Sequence, residues 1–181
     1  IGGGSAEAAV ISLGGVVVHK SVRVAGNKID EAIAGYMRRR HNLLIGDITA
    51  ENVKLQVGSA TVLDPVETIE VKGRDNVTGL PRAIAVTSTE VTEAIRPVLL
   101  QIVSVAKGVL EETPPELASD IIDKGIVMSG GTATLRNFDR FLTDLTGVPC
   151  HVTEDPMLCV VRGTGIALEN LDLYKKSIAR K

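Results

Sequence analysis

Aromatic residues make up only 2% of this chain of 181 residues, and Trp is absent. With so few rings, the core is expected to be built of Val, Ile, Leu and Ala. The same scarcity excludes the aromatic platforms on which single-stranded nucleic acids stack. An excess of positive charge is missing too. Twenty Lys and Arg stand against twenty-two Asp and Glu, with a pI near 6.0, so the chain carries no electrostatic footprint for DNA or RNA. The densest basic run, Arg38-Arg39-Arg40-His41, reads as a solvated helix end.

Cysteine is scarce as well. Cys150 and Cys159 flank a Pro-containing turn without metal-like spacing, and are expected to be reduced thiols. The three histidines, His19, His41 and His151, are scattered and form neither a ligand cluster nor a nucleophile–base pair. No run of eighteen apolar residues is present, which excludes a membrane-spanning helix within this stretch. The first residue is Ile rather than Met, and Ile1 is expected to be a cut end inside a longer protein.

What is present is ordinary globular material, 44% hydrophobic and 23% charged. A chain of this size buries about 70% of its unfolded surface, enough for a core without staples. The periodicities give an order of elements. Two apolar runs, 6–13 and 16–24, surround Gly14-Gly15 and read as a hairpin. Ile29, Ala32, Ile33, Tyr36 and Met37 mark one helical face, with Asn27 as the expected N-cap. A second helix is expected from Thr49 as cap to Gly58 as stop, with Val53, Leu55 and Val57 inside. Alternating strands at 67–72 and 82–87 form a more polar hairpin.

The longest helix begins at Ser88, carries Val91, Ile95, Val98, Leu99 and Ile102 on one face, and should kink or break near Pro97. After Thr113-Pro114-Pro115 come a short helix, a compact buried strand at 125–129, and a glycine loop. An amphipathic helix at 137–146, a strand at 148–152 and a last helix over about 157–172 follow. Residues 175–181 read as a charged, frayed tail. Such alternation predicts an α/β sheet layered with helices.

Three segments carry possible chemistry. Gly2, Gly3 and Gly4 remove every Cβ beside a strand, so backbone amides can approach an anion, and Ser5 adds a hydroxyl. A simple tight turn remains the alternative. Gly130, Gly131, Thr132 and Ala133 lie between a strand and a helix, where open α/β sheets place ligands. The loop has neither the Lys-Ser/Thr ending of a phosphate loop nor a third glycine of the dinucleotide fingerprint, and a close strand–helix turn is its alternative. On the second helix Ala50, Val53 and Lys54 share a face, with Glu51 opening the next row and Asn52 between them. A carboxylate and an ammonium there could bracket a base edge or ribose hydroxyls, or form an exposed charge pattern.

These segments and the text between them resemble the MreB family of bacterial actin-like proteins. The blocks are Ile1–Gly4 with Ala8–Gly15, Ser21–Gly26 with Asp30–Ala32, Leu43–Gly46, Thr49–Glu51, Ile69–Asp75 and Thr78–Pro81. Further along come Thr113–Ala118, Gly125–Gly131, Glu154–Pro156 and Ala167–Leu171. The resemblance implies the carboxyl-terminal half of an actin-fold protein, ribonuclease-H-like, with residues 1–26 plus 89–181 as the core subdomain and 27–88 as a smaller inserted α/β subdomain.

It further implies ATP with Mg2+ in a cleft. Gly2, Gly3, Gly4 and Ser5 would receive phosphate, with the three glycines doing so through their amides. Ala50, Glu51, Asn52 and Val53 with Lys54 would border the adenosine, and Gly130, Gly131, Thr132 and Ala133 would form its second side. Filaments, partners in the wall-elongation machinery, and a cytoplasmic place against the inner membrane face through the other half follow by family, with no nucleic-acid partner. The intact protein is expected to be a slow ATPase, and this chain alone to hydrolyse no ATP usefully and to bind it weakly. A sugar kinase, a DnaK-type chaperone or a scaffold without nucleotide are the alternatives.

Three departures from the family pattern stand out. The Asp expected before the Ile lies outside the chain, Ser5 replaces Thr, and Thr132 stands where a third glycine is common and could crowd the nucleotide.

Overall fold

A computed structural model describes residues 1–172 and Tyr174. The expected tail at 175–181 lies outside the described residues. Strands β1 (Ala6–Ser12) and β2 (Gly15–Val22) pair antiparallel, with Ser12 opposite Gly15. The two-residue turn is therefore Leu13-Gly14, one step earlier than the glycine pair suggests, and both residues have positive φ (50° and 76°). Such a turn matches the twist of the strands, and Gly14 takes its φ without strain. Val10 faces Val18 and Ile11 faces Val16, so Val17 is an extra residue in a bulge.

Helix α1 (Gly26–His41) buries Ile29, Ile33 and Met37 completely, a stripe at every fourth residue. Asn27 does not cap it. The cap position is Ala25, without a side-chain hydrogen bond, and Asn27 lies inside the first turn. Strand β3 (Leu43–Leu44) leads to α2 (Asp47–Val57), which starts at Gly46 rather than Thr49. Ala50, Val53 and Val57 are buried at helical spacing, and Leu55, two steps from each valine, points to solvent at 66% exposure. Strands β4 (Thr68–Asp75) and β5 (Pro81–Thr87) form a hairpin, with β3 against β4, and Val71 and Val86 face the core.

Helix α3 (Ser88–Glu112) is the spine and packs against β1, β2, α1, α2 and a later helix, α5 (Phe138–Thr146). It opens with a capping box. Glu90 N–H donates to Thr87 Oγ1 (3.3 Å), and Thr87 N–H and Oγ1–H donate to Glu90 Oε2 (2.9 and 2.8 Å). Burial acts to raise the Glu90 pKa, but these bonds and His41 Nε2 at 2.8 Å outweigh it and hold the carboxyl below its usual value. Pro97 does not break the helix. It faces solvent, where water can satisfy the carbonyl that loses its donor.

Helix α4 (Pro115–Lys124) precedes β6 (Ile126–Met128), which pairs parallel with β7 (Cys150–Val152) across α5 (Phe138–Thr146). The expected buried strand is only partly so, because Val127 is 62% exposed. Helix α6 (Cys159–Glu169) follows a short 3-10 turn. Both cysteines are free thiols, and burial pushes the Cys150 pKa up.

Among the described residues the strands thus form three small sheets, β1-β2, β3-β4-β5 and β6-β7. Between β1 and β6 runs a groove whose two lobes hold about 380 and 150 Å3, both walled by Ala8, Ala9, Ile126 and Val127 over Ala106 of α3. Residues 1–5 leave the end of that groove and run to the start of α1, which positions the first glycine loop.

Candidate functional site

The Gly2–Ser5 loop is held by its own backbone. Gly2 N–H donates to Ser5 O (3.0 Å), Gly26 N–H to Gly2 O (3.1 Å), and Asn27 N–H to Gly3 O (2.8 Å). The first amides of α1, with no side-chain cap, are satisfied by the carbonyls of the glycine loop. A Cβ on Gly3 would stand 2.9 Å from Asn27 Oδ1, so the Asn27 side chain would have to move aside to admit one. Nothing lies within 4 Å of where a Cβ of Gly4 would be, so this side of the loop is open.

The amides of Gly3, Gly4 and Ser5 donate to no protein group among the described residues. The expectation of three glycine amides for an anion is corrected in one respect. Gly2 N–H is spent inside the loop, and Ser5 N–H stands free in its place.

The second glycine loop meets the first directly. Ile1 N donates to Ser129 O (2.7 Å) and Thr132 N–H to Ile1 O (3.2 Å). Thr132 Oγ1 donates to Gly2 O (2.7 Å). Gly130 has φ +89°, and a Cβ there would collide with the carbonyl of Ile1, so only glycine fits. Residues 131–134 form a 3-10 turn rather than an open loop, with Gly131 exposed and the Ala133 side chain sealed in the core. Any contact of Ala133 with a ligand is restricted to its backbone.

Helix α2 supplies the third segment. Ala50 and Val53 turn inward and are 0% and 2% exposed, while Glu51 and Asn52 face solvent. Lys54 Nζ donates to Asp30 Oδ2 (3.0 Å) and lies 2.9 Å from Oδ1, which receives no directed hydrogen bond. Burial pushes the Asp30 pKa up, and the Lys54 ammonium opposes it.

The carboxylate beside the ammonium is therefore Asp30 on α1, not Glu51. A separation of 24 residues hides that pair from any local reading. A small cavity of about 60 Å3 lies between Lys54 and Leu55 on one side and Gly131, Thr132 and Arg136 on the other. Arg136 was not anticipated either. Its Nη1 donates to both Glu67 carboxylate oxygens (2.7 and 2.8 Å), and its Nη2 donates to Gln56 O. Ser59, fully buried, accepts from Asn137 Nδ2 (3.1 Å), and its carbonyl accepts from Thr92 Oγ1 (3.0 Å).

The structure thus joins Gly2–Ser5 to Gly130–Ala133 and sets Lys54 across a cavity from the latter. Free backbone amides suit an anion, and the small cavity between Lys54 and Gly131 offers a wall for a neighbouring group of the same ligand. Among the described residues no cluster of three or more His, Cys, Asp or Glu side chains could hold a metal ion. No described helix is long and apolar enough to cross a membrane.

The sequence model of the MreB/Mbl protein family matches residues 1–176. The chain belongs to the MreB/Mbl family. It is 51% identical over 174 residues to the cell shape-determining protein MreB of Escherichia coli strain K12, an alignment that covers 96% of this chain and 50% of that protein. Among solved structures, MreB5 of Spiroplasma citri bound to ADP superposes with a TM-score of 0.91 at 38% identity, covering 100% of this chain and 54% of the other. The MamK double helical filament shares the fold, with a TM-score of 0.69 at 22% identity over 87% of this chain and 49% of that one. The fold is thus the actin-type α/β fold. This MreB/Mbl chain spans about half the length of the curated relatives it matches.

Proposed function

We propose that this chain is one half of an actin-like protein that binds ATP with Mg2+, assembles into filaments under the cell membrane, and directs cell shape by organising wall synthesis. One observation carries the nucleotide part. Gly2–Ser5 and Gly130–Ala133 are hydrogen-bonded to each other through Ile1, Gly2 and Thr132, and this adjacency supports reading the two segments as parts of one site. In this reading the amides of Gly3, Gly4 and Ser5 receive phosphate oxygens. Gly131, Thr132 and Lys54 border the nucleoside, and Glu51 and Asn52 sit on the exposed rim. Support comes from MreB5, which is 38% identical to this chain over 54% of its own length and has been seen bound to ADP.

Mg2+ is assigned to the phosphates and the other half of the protein. Phosphoryl transfer is mainly positioning and charge neutralisation. The complete protein is accordingly a slow ATPase, and this chain alone hydrolyses no ATP at a useful rate. Residues 27–88 act as an inserted lobe on a core of 1–26 and 89–181, tied to it by the Arg136–Glu67 ion pair. Self-association is supported by MamK, a fold neighbour that forms a double helical filament. A cytoplasmic position beside the membrane and partners in wall elongation complete the reading. Family membership sets aside the sugar-kinase and DnaK-type alternatives.

The test is calorimetry of the complete protein with ATP and Mg2+, together with electron microscopy. Saturable binding and nucleotide-dependent filaments are expected. Filaments without saturable binding would leave a scaffold that uses no nucleotide.

A further inference from the structure

Gly2 O is the acceptor shared by both halves of the site. It takes one hydrogen bond from Gly26 N–H at 3.1 Å and a second from Thr132 Oγ1–H at 2.7 Å. A carbonyl has two lone-pair sites, and both are used. An unbound carbonyl beside a phosphate would repel it. One fixed by two donors is partly neutralised and cannot swing toward the anion. The Thr132 hydroxyl also sets its neighbour. A Cβ on Gly26 would stand 2.7 Å from Thr132 Oγ1, whereas its next contacts, Gly2 O and the Gly3 Cα, are at an ordinary 3.5 Å. Gly26 does not have positive φ, so the hydroxyl is the one obstacle to a side chain there.

We propose that Thr132 is a positioning residue, a latch whose hydroxyl holds the Gly2 carbonyl back and thereby keeps the Gly3, Gly4 and Ser5 amides in their phosphate-receiving arrangement. Gly26 is the clearance that lets the latch close. Thr132 therefore acts on the phosphate end of the ligand, although its own backbone sits in the nucleoside-side loop. The ligand part rests on the nucleotide reading above; the hydrogen-bond part does not.

Two measurements on the complete protein separate these parts. The first is a thermal-denaturation cycle. Gly26→Ala is expected to lower the melting temperature by about 3 °C or more while Thr132 is present, and to be neutral or stabilising in the Thr132→Gly background, where a first-turn Ala meets no hydroxyl. Equal shifts in both backgrounds would overturn the latch. The second compares affinities for ATP and for adenosine. Thr132→Val, which keeps the shape and removes the donor, is expected to weaken ATP about fivefold, the worth of one net hydrogen bond. The loss for adenosine should be clearly smaller than the loss for ATP, and Thr132→Ser should restore ATP. An equal loss for both ligands, or no loss for either, would overturn the proposal. If the parent protein binds no ATP, the nucleotide reading fails, and the denaturation cycle still decides whether the latch exists.

Discussion

Helices α1 and α3 and helices α4 and α6 treat their apolar residues in opposite ways. Ile29, Ile33 and Met37 of α1 and Ile95 and Leu99 of α3 are wholly buried, and the two helices pack on each other. Helices α4 and α6 bury no residue at all. In α6, Val160, Val161, Ile166 and Leu168 are 53–76% exposed. Polar positions complement the apolar stripe on α1. Helix α6 is apolar on several sides, the pattern of a helix surrounded by protein. The difference shows that local sequence can specify a helix without supplying the surface that covers it. In the proposed function that surface belongs to the other half of the protein.

The largest expected effect tests this contrast directly. Phe138→Ala, at a fully buried ring, should cost about 3–5 kcal/mol by denaturant unfolding. Val161→Ala on α6 should stay within about 0.5 kcal/mol, and comparable losses at both sites would erase the contrast. Next in size is Thr87→Ala, which removes the cap of α3 and should cost about 1–2 kcal/mol in the same assay. Replacing Val160 and Val161 together by Ser should leave the melting temperature within a few degrees while lowering the fluorescence of a hydrophobic dye. Unchanged fluorescence would mean that α6 is covered in solution.

The smallest effect concerns Asp75. Its carboxylate accepts from the Thr78 and Val77 amides and from Arg82, which hold its pKa at about 2, and the Thr78 amide contributes most. A depressed acid stabilises the fold above its ordinary pKa of 3.8 and loses that contribution as pH falls toward 2. Asp75→Asn should flatten the stability profile between about pH 4 and 2, and an unaltered slope would place the titration elsewhere.

Periodicity in the sequence made α1, α3 and α5 legible, because their buried faces repeat at three and four. It misplaced the hairpin turn, since Leu13 accepts a positive φ that composition assigns to Gly15. It put Leu55 inside α2, where a spacing of two cannot share a helical face with Val53 and Val57. Residue type marks Asn27 as a cap, yet the carbonyls of Gly2 and Gly3 cap α1 from 24 residues away in the chain. The glycine segments themselves were visible, because missing side chains can be read directly. Which amides stay free, and that Lys54 answers Asp30, depend on long-range contacts with no local signature.

The central claim, that one nucleotide touches both glycine segments, is best tested by following the backbone amides of this chain by NMR during titration with ATP, a method that registers even weak binding. The account expects the Gly3, Gly4 and Ser5 amides to shift together with those of Gly131 and Thr132, and adenosine to move only the second group. Shifts confined to one segment under ATP, or centred elsewhere on the molecule, would contradict it.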